Sequence, residues 1–150
     1  MGIEKDISQA SFRNEYQKGI INLIYTYNWM NEKMKKVFDS EGVTAQQYNI
    51  LRILRGAGKP ISTLQIRERM LDKMSDTSRI VDRLVVKGLA KKTICNNDKR
   101  LVDVSISIKG KTLLEKIDLY EKDMDAILGN ITDAEAKTLN KLLDKIRKSD

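Results

Sequence analysis

Phe12, Tyr16, Ile20, Leu23, Tyr27, Met30, Met34 and Val37 follow one another at steps of three and four. That spacing places all eight on one stripe of a long helix, which Asp39-Ser40-Glu41-Gly42 ends. A helix of about seven turns cannot bury its whole stripe against one small domain. The pattern therefore predicts a second surface that covers it.

Three short helices are expected next. Thr44-Ala45-Gln46-Gln47 is a capping-box pattern, in which a hydroxyl serves the free N–H groups and a Gln three residues on reaches back. The helix it opens presents Tyr48, Leu51 and Leu54, and stops at Gly56-Ala57-Gly58-Lys59-Pro60. Ser62-Thr63-Leu64-Gln65 repeats the box and opens a helix carrying Leu64, Ile66 and Met70. After the tight connection Leu71-Asp72-Lys73-Met74, Ser75 is expected to cap a third helix that ends at Gly88, a natural residue for a left-handed exit. Two helices joined by a brief turn are helix-turn-helix anatomy.

From Leu89 the period changes from helical to alternating. Leu89 to Cys95 and Leu101 to Ser107 read as two strands around a polar turn, Asn96 to Arg100. Ser107 can then cap a helix with Leu113, Ile117, Tyr120, Met124 and Ile127 on one face, broken at Gly129-Asn130. Thr132-Asp133-Ala134-Glu135 is a third capping box, before a last helix bearing Leu139, Leu142, Leu143 and Ile146. The fold class is thus mainly α with one β-hairpin. A helix-turn-helix followed by a hairpin is a winged arrangement, flanked here by N- and C-terminal helices.

Charge sharpens this division. The chain carries a net +7, but residues 1–43 hold 6 cations and 6 anions, and residues 111–150 hold 8 and 9. Residues 44–110 hold 14 and 6, so the positive charge belongs to the middle segment. A basic block between neutral helices is expected of a surface that faces a polyanion. Composition excludes much else. There is no histidine and one cysteine, Cys95, which removes Ser-His-Asp triads, histidine zinc sites and intrachain disulfides. No phosphate loop and no recognisable carboxylate pair is present, so an enzyme is not expected, nor is a metal or other cofactor. Cys95 sits in a strand pattern where the residue serves as a small hydrophobe, with redox sensing the competing reading. No run of about 18 apolar residues occurs, and MGIEKDISQASFRNEY has no apolar signal region. The expectation is a cytoplasmic protein that does not engage a membrane.

On a helical wheel of residues 76–87, Thr77, Ile80, Val81, Leu84 and Val85 share one side. Ser75, Asp76, Arg79, Asp82, Arg83 and Val86 lie on the other. Arg79 and Arg83 are like charges one turn apart, a mildly unfavourable pair that a phosphate-rich groove would relieve. Arginine can also read guanine through two hydrogen bonds. For this helix alone, a solvated face with Asp76 and Asp82 screening the arginines is the competing reading. The hairpin favours the first. Its tip offers Arg100 as a slender cation suited to a minor groove, Asp98 to hold it, and Lys99 for a phosphate.

"SDTSRIVDRLVVKGL" from Ser75 to Leu89, the Asp98-Lys99-Arg100 triplet, "VSISIKG" and "ITDAEAKTLNKLLDKI" together resemble a MarR-type transcriptional regulator, at matching positions along essentially the whole chain. The resemblance implies one MarR-like domain over residues 1–150. In it, residues 1–43 and 111–150 would form a homodimerisation region and residues 44–110 a winged helix-turn-helix that binds double-stranded DNA. It implies a ligand-responsive repressor on a pseudo-palindromic operator. Ser75, Asp76, Ser78, Arg79 and Arg83 would meet the major groove, and the Asp98, Lys99 and Arg100 wing the minor groove. It further implies a small effector, often an aromatic anion, in a cleft that Tyr27, Trp29 and Tyr48 could border. Two departures stand out. Arg67 occupies a position where the family commonly has a small residue, and the N-terminal reactive cysteine of the peroxide-sensing members is missing. A winged helix that binds protein partners without reading DNA is the alternative function.

Overall fold

The computed structural model describes residues 2–94, 97–98 and 102–148. The chain runs α1 (Ile3–Asp6), α2 (Glu15–Ser40), α3 (Ala45–Ala57), β1 (Ile61–Ser62), α4 (Thr63–Arg69) and α5 (Thr77–Val86). It continues through β2 (Ala90–Ile94), β3 (Val102–Ile106), α6 (Ile108–Asp118), α7 (Glu121–Asp125), a 3-10 turn (Ala126–Leu128) and α8 (Asp133–Ile146). It is mainly helical with one small antiparallel sheet, as the sequence pattern predicts.

All three capping boxes form. Thr44, Ser62 and Thr132 each accept from a backbone N–H three residues on, while Gln47, Gln65 and Glu135 reach back to the caps. Two helix exits also follow from residue type. Gly42 and Gly88 lie at φ +69° and +73°. Each sits in a Schellman pair, Val43 N–H to Phe38 O with Gly42 N–H to Asp39 O, and Leu89 N–H to Leu84 O with Gly88 N–H to Val85 O.

Several expectations need correction. Phe12 lies outside α2, because Asn14 caps that helix by accepting from Gln17 N–H at 2.9 Å. The cap of α5 is Asp76, whose carboxylate accepts from Arg79 N–H at 3.2 Å. Ser75 instead donates its hydroxyl to Asp72 O at 2.7 Å. The helix expected from Ser107 to Gly129 is broken at Leu119–Tyr120, where the backbone turns through i+3 hydrogen bonds into α7. Within α6 Ile117 is deeply buried as expected, but the other large side chain at that depth is Leu114, with Leu113 only half-buried. Leu64 is exposed, while its neighbours Ile66 and Met70 are buried. The sheet has three strands in the order β1-β3-β2, one more than the hairpin predicts, with Ile61 opposite Val104.

One core unites the middle of the chain. Ile50, Leu51 and Leu54 of α3, Ile66 of α4, Ile80, Val81 and Leu84 of α5, Val104 of β3, and Leu114 and Ile117 of α6 pack together. Phe38, near the end of α2, inserts into the same cluster. Across it, Arg55 of α3 donates both terminal guanidinium nitrogens to the Asp118 carboxylate of α6, at 2.7 and 3.1 Å. The first two-thirds of α2 and all of α8 contribute no residue to this core.

Candidate nucleic-acid interface

The candidate interface is built on α5. Thr77, Ile80, Val81 and Leu84 are buried against α3 and α4, which leaves Ser78, Arg79, Asp82, Arg83 and Val86 exposed, the partition expected from the wheel. The turn before α5 is held from α3. Gln46 donates to Asp72 Oδ2 at 2.9 Å, Asn49 accepts from Leu71 N–H at 2.9 Å, and Asp72 Oδ1 accepts from Met74 N–H at 3.0 Å. Asp76 is thereby placed as the cap, and the first turn of α5 is presented at the surface.

The two acids expected to screen the arginines are committed elsewhere. Asp76 caps its own helix. Asp82 forms an ion pair with Lys92 of β2 that ties α5 to the sheet. Among the described residues, neither Arg79 nor Arg83 makes an ion pair. The outer face of α5 therefore presents two exposed guanidinium groups one helical turn apart.

Arg67 joins them. It lines a cavity of about 400 Å³ together with Thr63, Leu64, Ser75, Asp76, Thr77 and Ser78, between α4 and the start of α5. The Thr77 hydroxyl is buried beside this cavity with no hydrogen-bond partner among the described residues. An unsatisfied buried hydroxyl costs more than it returns, so Thr77→Val is expected to raise stability by about 1 kcal/mol in urea unfolding. A lower unfolding midpoint would show that this hydroxyl has a partner in solution.

β2 is the sheet edge beside α5, and its Lys91, Lys92, Thr93 and Ile94 are all exposed. Of the expected wing residues, Asp98 is half-buried, while Lys99, Arg100 and the strand residue Cys95 lie outside the described residues. Lys92 and Arg67 belong to this surface, although only Arg67 had a sequence signal, as an unexpected charge. Nothing in sequence spacing links Asp82 to a lysine ten residues on and across a turn.

The three aromatics named for a ligand cleft are not brought together. Tyr27 and Trp29 are two residues apart on α2, which puts them on nearly opposite sides of that helix. Trp29 carries Lys33 over its ring at 5.6 Å. Tyr48 is half-buried against Phe38, with ring centroids 4.6 Å apart, and Arg52 stands over its ring at 5.8 Å. Burial pushes the Tyr48 phenol above its ordinary range, with the Arg52 charge opposing in part.

Residues 41–101, the segment holding α3 to β2, match the profile of the MarR family. The multiple antibiotic resistance protein MarR of Salmonella typhimurium is 29% identical over 131 residues, covering 83% of this chain and 88% of its own. Over residues 41–101 the chain thus carries the pattern of the MarR family. Members of the MarR family are transcription regulators and not enzymes. The fold agrees with solved MarR-family structures. A variant of Escherichia coli MarR in complex with operator DNA superposes with a TM-score of 0.82 at 24% identity, over 93% of this chain and all of that one. Bordetella bronchiseptica BpsR, described by the regulation of its DNA binding by 6-hydroxynicotinic acid, superposes with a TM-score of 0.81 at 20% identity, over 94% and 100%. Among the described residues, no helix is long and apolar enough to cross a membrane.

Proposed function

We propose that this protein is a cytoplasmic, homodimeric, sequence-specific DNA-binding repressor that a small ligand releases from a pseudo-palindromic operator. The carrying observation is the outer face of α5, where Arg79 and Arg83 stand exposed while the nearby acids serve a helix cap and the sheet. Like charges one turn apart cost a few tenths of a kcal/mol without a partner. A phosphate backbone or a guanine edge supplies that partner. In this reading α5 enters the major groove, with Ser75, Asp76 and Ser78 at its entry and Arg79 and Arg83 on bases and backbone. The 98–100 segment reaches the minor groove. Residues 44–110 form the DNA-binding region, and residues 1–43 and 111–150 the dimerisation region. The exposed apolar residues of α2 and α8 support that division.

The repressor and effector parts draw on the family's members, including the DNA-bound MarR and the ligand-regulated BpsR. An aromatic anion is the ligand class proposed, and Tyr48 beside Arg52 is the aromatic best placed to meet one.

The test starts from bound duplexes selected out of genomic fragments. Anisotropy titration on the selected site should then show log K falling steeply with log salt, as phosphate neutralisation requires. Arg79→Ala, Arg83→Ala and Arg100→Ala should each weaken binding by roughly 1–3 kcal/mol. Absence of DNA affinity at ~50 mM salt would instead favour a winged helix that binds protein partners.

A further inference from the structure

The recognition helix ends in a side chain whose partners lie outside its own element. Lys87, the C-cap of α5, extends its ammonium to the end of α2, donating to Gly42 O at 2.7 Å and to Gln47 Oε1 at 3.0 Å. Among the described residues it makes no ion pair, so its charge is spent on two neutral oxygens. Charge-assisted bonds of this kind are shorter and stronger than neutral ones.

Both acceptors are held rigidly. Gly42 lies in the left-handed exit of α2, and its peptide is fixed by the two bonds that close that helix. The buried Gln47 Oε1 also accepts from Thr44 N–H at 3.1 Å, within the capping box that starts α3. The other end of the tie is braced as well, because Lys109 of α6 donates to the Lys87 carbonyl at 3.0 Å. Beyond the core that they share, the end of α5 is thus tied through one ammonium to the exit of α2 and the first turn of α3.

We propose that Lys87 is a positioning residue that sets the angle between the recognition helix and α2, and through it the half-site spacing that a dimer accepts. This rests on the function proposed above. α2 has 26 residues, about 39 Å at 1.5 Å per residue, so a few degrees at its C-terminal joint shift the far end by roughly 3 Å. That is close to the ~3.4 Å step between base pairs. A joint loosened by this amount leaves each winged domain intact but blurs the distance between the two α5 helices.

The test has one arm that needs neither DNA nor a dimer. In a Cys95→Ser background, spin labels at Glu32→Cys and Ser78→Cys report the α2–α5 distance in labelled chain diluted with unlabelled chain. Lys87→Met, which keeps the stem and loses the donors, should broaden that distribution about twofold, and Lys87→Arg should not. Gln47→Glu, which still accepts from Thr44 and sets a carboxylate against Lys87, should narrow it. On DNA, the wild type should discriminate about tenfold against operators with one base pair added between half-sites, and Lys87→Met threefold or less, with isolated half-site affinity unchanged within about twofold. An unchanged distance distribution in Lys87→Met overturns the proposal. So does an equal fall on half-site and full operator, which would make Lys87 only a phosphate contact. If the wild type fails to bind DNA, the proposed function falls, and the distance arm still decides the role of Lys87.

Discussion

Alanine in place of Gly110 is expected to destabilise the folded chain by about 3 kcal/mol, the range of overpacked cores. Two effects of opposite sign compete at this position. Gly110 lies in the first turn of α6, where alanine would gain up to ~1 kcal/mol of helix propensity. A Cβ there would stand 2.3 Å from the Leu89 carbonyl oxygen and 2.8 Å from Ile106 Cγ1. That carbonyl accepts from Ser107 N–H at 3.1 Å, and Ser107 in turn caps α6 through Gly110 N–H at 3.0 Å and donates to Gly88 O at 2.6 Å. The obstacle is therefore backbone, locked at the crossing of the α5 exit and the α6 entry, and it cannot swing aside as a side chain would. Sterics win, and at fixed protein concentration the melting temperature should fall by roughly 6–12 °C. Gly56→Ala is the control. A Cβ at Gly56 meets nothing within 4 Å, so the same substitution should stabilise by about 0.5–1 kcal/mol. If Gly110→Ala melts at the wild-type temperature, the close approach of these two segments is wrong.

What could be read in advance differs by kind of determinant. Caps and helix exits are local chemistry, so the Thr44, Ser62 and Thr132 boxes and the left-handed Gly42 and Gly88 stand where their residue types indicate. The buried and exposed faces of α5 likewise follow from period alone. Determinants that lie across space were invisible. β1 is two residues long, too short to alternate, and exists because Ile61 and Ser62 pair with Val104 and Asp103. The bend at Leu119–Tyr120 carries no glycine or proline, and the apolar spacing runs straight through it. Ser75 and Asp76 are both good caps by type. The choice fell to Asp76 because the Ser75 hydroxyl is taken by Asp72 O. The same limit applies to the interface. Exposed arginines on α5 were legible, whereas the Asp82–Lys92 tie and the Lys87 reach to Gly42 join residues that only the folded chain brings together.

The second large effect concerns α2. At 100° per residue, Tyr16, Ile20, Leu23 and Tyr27 lie on the same side as Met34 and Phe38. At the C-terminal end of α2 this side enters the core, with Phe38 only 2% exposed. Toward the N-terminus it stands in the open, Tyr16 at 84% and Ile20 at 60%. One apolar stripe thus begins buried within the chain and continues with nothing among the described residues to cover it. The exposed Leu142 and Ile146 of α8 repeat the situation. The dimer proposed above covers both. Ile20→Glu combined with Leu23→Glu would then place two charges in the buried seam, where unpaired carboxylates are costly. Neither residue belongs to the core cluster, so unfolding should stay cooperative. Sedimentation at ~10 μM should show the wild type as a dimer and the double variant as a monomer. Operator affinity should fall by about 10²-fold or more, because a second winged domain is no longer tethered to the first. Affinity for an isolated half-site should be unchanged. A double variant that sediments as a dimer would remove α2 from the interface and leave its stripe without the partner that its exposure demands.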